Sequence, residues 1–401
     1  MKSIAVLTGS YWQREFFFAI KDLGFKSILL DRDDDCYCRG LCDEFIKVDC
    51  ANSAACIEAL SHTPLDGILA EQTDVAVLTA SRIANYYNIR FIDYSVALRL
   101  TDKALMREHC NKNGFRTPSY VLVGNEEEAA DAASSIGYPV ILKPTDSQSS
   151  KGVSKVFNHP AIRSAFEYSL ANTTRSRVLV EELLLGIETS VESYVMGDKI
   201  SVLGVSQKEK SPPPYSFDTK LIYPPNFPKD CLEDLLNLNE RIIGAFDIRL
   251  GFVHAEYIIT PKGIYLLEIA GRGCGSGVAT KLLPLMCDND LVKLRVFDAL
   301  GIANLELLKM DGLEIHDSGK TAILYFAEYP EGKVKSAENI EHCRNIPDVV
   351  DVCLNFKPGD YIYKPRNGAQ RHASIHICAN SYVEAEAALS LALNTLDVVI
   401  G

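Results

Sequence analysis

The stretch Gly251-Phe252-Val253-His254-Ala255-Glu256-Tyr257-Ile258-Ile259, the turn Thr260-Pro261-Lys262, and Gly263-Ile264-Tyr265-Leu266-Leu267-Glu268-Ile269 read as two neighbouring strands. Glu256 and Glu268 lie twelve residues apart, each near the end of an apolar run. Antiparallel pairing brings such carboxylates onto one face when both side chains point the same way. Two clustered carboxylates at a cleft repel, so they require a cation or the loss of a charge. Hard oxygen ligands suit magnesium, which commonly uses one or two carboxylates together with substrate phosphates. Arg272, four residues beyond Glu268, can meet a phosphate with its planar fork. A hairpin carrying two solvated acids satisfies the same stretch, so its surroundings must decide.

Upstream, Lys143 ends the apolar run Val140-Ile141-Leu142, where a charge is costly without an anionic partner. The adjoining polar loop from Thr145 to Gly152 can present backbone N–H groups to phosphate oxygens. Lys103 opens a helix and can reach the same anion, although lysines at element ends are usually just solvated. Neither a Walker A sequence nor a kinase-type GxGxxG is present. The run Gly271-Arg272-Gly273-Cys274-Gly275-Ser276-Gly277 only imitates the latter, because Ser276 stands where the third glycine is needed. No Ser-His-Asp or Cys-His arrangement stands out.

Around this centre the first hundred residues alternate strand and helix. Ile4–Leu7, Ser27–Leu30 and Gly67–Ala70 are strands, with a helix from Trp12 to Leu23, which predicts a parallel sheet. The turn Gly9-Ser10-Tyr11-Trp12 lacks a dinucleotide fingerprint, and Asp31 alone is weak evidence for one. Helices are expected over Lys103–Asn113 and Glu126–Ile136, and strands at Tyr120–Val123, Val178–Val180 and Ser190–Met196. Ser211–Pro228 reads as a proline-rich loop. Towards the end, Ala322–Phe326 and Ser374–Cys378 are strands, Asn367-Gly368 is a hairpin signal, and Tyr382–Asp397 is a closing helix.

The 401 residues suffice for two or three compact units. A net charge of −12 opposes broad binding to nucleic acid, which needs a basic surface. Five of the twelve cysteines fall between Cys36 and Cys56, without the paired spacing of a zinc knuckle. No signal-peptide or membrane-spanning run is visible, so a cytoplasmic location with reduced thiols is expected.

Taken in order, Asp102-Lys103, Pro139-Val140-Ile141-Leu142-Lys143, Val180-Glu181-Glu182, Gly186-Ile187-Glu188, Glu256 and Glu268-Ile269-Ala270-Gly271-Arg272 resemble the ATP-grasp ligases. The resemblance spans residues 1–310 in domain order. It implies an α/β and α+β chain: a Rossmann-like parallel-sheet pre-domain (1–100), and an ATP-grasp domain (101–312) with a lid near 115–185 and an antiparallel central sheet. A C-terminal α+β module (313–401) looks like that of the carboxylase and L-amino-acid ligase branches.

The resemblance also implies roles. Lys103 and Lys143 would contact the phosphates of ATP, beneath a loop containing Ser149, Ser150 and Gly152. Glu181, Glu182 and Leu184 would form the hinge meeting adenine, and Glu188 would accept the ribose hydroxyls. Glu256 and Glu268 would hold one or two magnesium ions, with manganese as an alternative. Arg272, with Lys143, would stabilise the transferring phosphoryl group. Lys208 and Lys220 of the segment Lys208–Tyr223, together with Arg249 and His254, are candidate substrate contacts.

The implied reaction joins a small-molecule carboxylate to an amine through an acyl phosphate. No membrane or nucleic-acid partner is implied, and homodimers are common in the resembled family. One departure is Ala270, where many members carry a metal-binding asparagine. Two alternatives stand beside this reading: a bicarbonate-using carboxylase relative, though no biotin-accepting Met-Lys-Met occurs, and a silent nucleotide-binding protein.

Overall fold

The computed structural model describes residues 1–303 and 318–401. Strands β1 (Ser3–Leu7), β2 (Lys26–Asp31), β3 (Glu44–Lys47) and β4 (Gly67–Leu69) form an all-parallel sheet in the order β3-β2-β1-β4. Helix α1 (Arg14–Asp22) connects β1 to β2, α2 (Ser53–Leu60) connects β3 to β4, and α3 (Val75–Tyr87) follows. All five residues of β1 are buried, as expected of a strand covered on both faces.

Helices α4 (Tyr94–Thr101) and α5 (Lys103–Lys112) lead into a second layer. It contains β5 (Tyr120–Val123), α6 (Glu126–Ile136), β6 (Val140–Pro144), β7 (Ser154–Val156), α7 (Ile162–Leu170) and β8 (Val178–Glu182), paired as the antiparallel sheet β5-β8-β6-β7. Alanines of α6 and Phe166 of α7 pack on Val140, Leu142 and Val180 to give this layer its own core. Its other side faces the cleft.

The largest element is an eight-stranded antiparallel sheet. Its strands β9 (Ile187–Met196), β10 (Lys199–Lys210) and β11 (Asp218–Tyr223) are followed by α8 (Lys229–Phe246) and the hairpin β12 (Leu250–Thr260) and β13 (Gly263–Ala270). Helices α9 (Leu283–Cys287) and α10 (Leu291–Ala299) precede β14 (Thr321–Ala327), β15 (Gly332–Glu338), α11 (Ile340–Arg344), β16 (Val349–Leu354), β17 (Tyr361–Ile362), β18 (Ala373–Ala379), α12 (Tyr382–Thr395) and β19 (Asp397–Ile400). The order β13-β12-β9-β10-β11-β14-β18-β16 makes one sheet continue into the C-terminal strands. One face, through Val191, Val253, Tyr257 and Leu266, buries against α4, α5 and α8. At one end of the opposite face, Tyr194 and Phe252 pack under α10. The period-two alternation of strands leaves the rest of that face free to carry polar groups.

Three expectations are corrected. Within the segment taken as a proline-rich loop, Asp218–Tyr223 is a strand, and it bridges β10 to β14. Asn367-Gly368 makes no hairpin: its backbone enters a short 3-10 turn, the Asn367 side chain accepts from Ala369 N (3.0 Å), and β18 pairs with β14 and β16 instead. The closing helix stops at Thr395, and Asp397–Ile400 returns as a strand beside β15. The expected boundary at 312/313 lies outside the described residues. No helix among the described residues is long and apolar enough to cross a membrane.

Candidate active site

In the β12–β13 hairpin, Glu256 and Glu268 are direct cross-strand partners, as are His254 and Ala270 two residues further along. Because cross-strand partners share a face, both carboxylates point the same way. Alternation along β9, β10 and β12 adds Glu188, Glu192, Lys208, Lys210 and His254 to this face. A cleft of about 550 Å³ lies between this face and the β5-β8-β6-β7 layer. A smaller chamber of about 140 Å³ adjoins it, and Glu256, Glu268, Lys208 and Lys210 line both.

Besides Glu256, Glu268 and Lys208, the wide cleft brings together the expected residues Lys103, Lys143, Ser149, Ser150, Glu181, Glu182, Leu184 and Glu188. Lys103 is aimed by the start of α5. Asp102 caps that helix by accepting from Ala104 N (2.8 Å) and Leu105 N (3.1 Å), and Lys103 N donates to Thr145 O (2.8 Å). The Lys103 ammonium donates to Ser147 O (2.7 Å) and Glu268 Oε1 (3.1 Å). Lys143 is held from β6 by Glu181 of β8 at 2.6 Å. Burial pulls the Lys143 pKa down to about 8, against the attraction of Glu181. Glu182, Leu184 and the exposed Leu185 line the mouth.

Glu181 therefore does more than supply hinge backbone. Its carboxylate, 1% exposed, also accepts from Arg107 Nε (2.9 Å) of α5, and burial is outweighed by Arg107 and Lys143, which keep it ionised. Arg107 was missed in the sequence. Its only signal was its place four residues after Lys103, on the same helix face.

The carboxylates expected to bind metal are matched by internal cations. Glu256 is paired with Lys208 and accepts from His254 Nε2 (3.2 Å), while Glu268 is paired with Lys103. Despite burial, Lys208 and His254 hold Glu256 well below the usual carboxylate range. Two facing carboxylates supply the hard oxygen donors that a divalent cation takes, and Lys208 and Lys103 each hold one oxygen of the pair here. Ala270 adds no ligand atom. His254 stands opposite it, and its ring bridges Glu192 (2.9 Å) and Glu256. Against burial, Glu192 keeps that ring charged. Ligand atoms of Glu192, His254 and Cys274 lie within 4.8 Å of one another, but the two carboxylates already occupy both nitrogens of the ring.

Lys208 and Lys210 belong to β10 rather than to a loop, and between them stands Asp218 of β11, 3.7 Å from the first and 2.9 Å from the second. Burial opposes ionisation of Asp218, but these ammoniums bring its pKa down to about 2. Glu188 accepts from Lys210 at 2.7 Å. Neither Asp218 nor Lys210 could be singled out in the sequence, because the strand containing Asp218 was hidden among prolines.

Arg272 follows β13 and lines the chamber, but its fork is already filled by Asp74 of the N-terminal domain. Its neighbour Gly273 N donates to Glu71 (2.9 Å), whose other oxygen accepts from Arg295 (2.6 Å).

Three expected residues do not reach the site. Gly152 packs behind the loop, where a Cβ would come within 2.6 Å of Pro144 and φ is +77°. Its role is to let the chain turn, while Ser149 and Ser150 face the cleft. Lys220 is the cross-strand partner of Glu209, on the face opposite Lys208, and pairs with Glu386 of α12. Arg249 is exposed at the far end of β12, paired with Asp198 and Asp247.

This fold and site define a class, and known proteins agree. The ATP-grasp domain family matches residues 136–281, and the L-amino acid ligase C-terminal domain 2 family matches residues 325–401. Residues 136–281 thus carry an ATP-grasp domain and residues 325–401 an L-amino acid ligase C-terminal domain, and the chain is an enzyme. A solved L-amino acid ligase from Bacillus licheniformis is 17% identical, with 100% of this chain and 99% of that one covered at a TM-score of 0.83. A carboxyaminoimidazole ribonucleotide synthase from Aspergillus clavatus, complexed with ATP, is 17% identical over 98% of each chain with a TM-score of 0.78. At such identities the likeness is one of fold. The uncharacterized protein y4rH of Sinorhizobium fredii is 24% identical over 393 residues, 96% of this chain and 80% of that protein.

Proposed function

We propose that the protein joins a carboxylate to an amine, using ATP and releasing ADP and phosphate. The observation that carries this reading is the facing pair Glu256 and Glu268 at the junction of a nucleotide-sized cleft and a small polar chamber. ATP would lie in the cleft, its phosphates reaching Lys103, Lys143 and the backbone of the Ser147–Gly152 loop. The base would lie against Glu182–Leu184 and the ribose against Glu188. A magnesium ion bound by Glu256 and Glu268 supplies charge neutralisation to the phosphates. The division into 1–100, 101–312 and 313–401, a cytoplasmic location and a homodimer belong to the same reading.

The substrate carboxylate attacks the γ-phosphorus and displaces ADP, giving an acyl phosphate. The amine lone pair then attacks the acyl carbon, the C–N bond forms, the C–O bond to phosphate breaks, and a proton is released. The chain need offer no nucleophile of its own. Arg272, held by Asp74, and Lys143, held by Glu181, place fixed positive charge where charge develops, and the lid excludes water from the acyl phosphate.

The test is phosphate release across a panel of carboxylates and amines, with the product identified by mass spectrometry. Release that needs both partners and yields an amide supports the reading. Turnover with bicarbonate, giving only a carboxylated product, would replace it with the carboxylase alternative.

A further inference from the structure

The chamber beyond Glu256 and Glu268 has a positive group that the reaction above does not use. Arg371 precedes β18 of the C-terminal module and lines the chamber. Its guanidinium lies flat on the Phe326 ring, 3.7 Å from the centroid, and its Nε donates to Asp218 O (3.0 Å). The carboxylate oxygen it faces, Asp218 Oδ2, stands 3.6 Å away, and that carboxylate is shared with Lys208 and Lys210. The other cations lining the chamber are matched at closer range: Lys208 by Glu256, Lys210 by Glu188, Arg272 by Asp74 and His254 by Glu192. Among the described residues, Arg371 is thus the chamber cation with no carboxylate at hydrogen-bond distance. A guanidinium held rigid by stacking, with its fork largely unspent, is suited to a planar anion.

Place and size narrow that anion. Asp218 and Lys208 stand between Arg371 and Glu256, so a carboxylate on Arg371 is not the one that reacts. The chamber volume of about 140 Å³ is on the scale of a cavity that holds one benzene molecule, about six heavy atoms. Leu221, Leu324 and Phe326 form an apolar wall on the Arg371 side. We infer that Arg371 anchors the α-carboxylate of a small α-amino acid, which is the amine donor. With its carboxylate on Arg371 and its short side chain against this wall, the amine two bonds away is turned towards the Glu256–Glu268 pair. This inference rests on the ligase reading, and it makes the C-terminal module part of the substrate site.

The test is calorimetric binding of glycine, L-alanine, L-phenylalanine, methylamine and ethylamine to the enzyme saturated with ADP and magnesium. The wild type should bind glycine or L-alanine at least about tenfold more tightly than the amine lacking the carboxylate, as expected for a bidentate charged contact. L-Phenylalanine should be excluded. In R371M, which keeps the stem over Phe326 without the charge, that preference should vanish while ADP affinity is unchanged. R371K keeps the charge but not the fork, should melt with the wild type, and should also lose at least about tenfold in amino-acid affinity. Equal binding of L-alanine and ethylamine, or no loss in either variant, would overturn the anchor. Amide formation that persists with unchanged amino-acid KM in R371K would overturn the anchor alone. Absence of any carboxylate-plus-amine turnover, with amino-acid binding intact, would instead overturn the ligase reading.

Discussion

Arg272, just past the β12–β13 hairpin, and Asp74, at the start of α3 in the N-terminal domain, form a two-point ion pair, Nε to Oδ1 and Nη2 to Oδ2 (2.9 Å). Asp74 N also donates to Gln148 Oε1 of the Thr145–Gly152 loop (2.7 Å). A single aspartate thereby joins three parts of the chain: the parallel-sheet domain, the lid loop and the arginine proposed to face the transferring phosphate. The pair fixes a planar fork that would otherwise sample several rotamers at the chamber wall. Asp74→Asn keeps the size and the backbone contact but weakens the clamp. We expect kcat to fall about 100-fold, the scale of a modest misplacement of a catalytic group, with KM for ATP little changed. Stopped-time ADP release over a range of ATP concentrations separates the two constants, and a rise in KM alone would show that Asp74 acts on binding instead.

Glu268→Gln tests the carboxylate pair. The substitution preserves shape and removes one negative charge, so ATP turnover should drop by about 100-fold or more, on the scale of losing a principal electrostatic group. The Lys103 ammonium then loses its carboxylate partner, and the magnesium concentration for half-maximal turnover should rise. Turnover at wild-type magnesium dependence would remove Glu268 from the metal site.

Lys143 makes the site sensitive to pH. Burial lowers its pKa from 10.5 to about 8 in the folded protein. Above about pH 8 the ammonium is lost and with it an attraction for phosphate, so ATP affinity should weaken from pH 7 to pH 9. Stability runs the other way. The unfolded chain binds the proton more tightly between pH 8 and 10.5, so through that window this group favours folding as pH rises. Lys143→Arg keeps its charge throughout, and calorimetric titrations at several pH values should show a flatter profile for it than for the wild type.

The Arg107–Glu181–Lys143 triad predicts a stability effect that its partners do not share equally. Arg107→Ala leaves the carboxylate of Glu181 buried with only Lys143 opposite, and should cost about 3–5 kcal/mol in denaturant unfolding. Arg107→Ala combined with Glu181→Ala should be less destabilising than the sum of the two single changes, because the uncompensated charge is gone. Strict additivity would show that the two groups do not interact.

The hairpin was legible because two signals coincide in a short stretch. Alternation and a four-residue turn set the hairpin and its register as far as Tyr257 opposite Leu266; a register shift next to Glu256, which only the structure shows, then brings Glu256 opposite Glu268. Lys103 and Lys143 were legible for a similar reason: charges at element ends beside apolar runs need partners. Arg249 stands just before β12, five positions from His254. A strand advances ~3.3 Å per residue, so five positions carry the side chain well away from the site. Lys220 lies on the other face because its segment is a strand and not a loop: it pairs with Glu209, which alternates with Lys208, while a bulge between Glu209 and Lys210 brings Asp218 beside Lys210.

By itself the sequence determined the succession of strands and helices along the chain and the candidate residues Glu256, Glu268, Lys103 and Lys143, because these depend on local periodicity and short-range turns. Only the tertiary structure decided which groups share a charge. Asp74 meets Arg272 across 198 positions, Arg107 meets Glu181 across 74, and Arg371 approaches Asp218 across 153. The reason is physical. Ion pairing acts over a few ångströms in space, and no periodicity along the chain encodes which distant strand the sheet order will bring alongside.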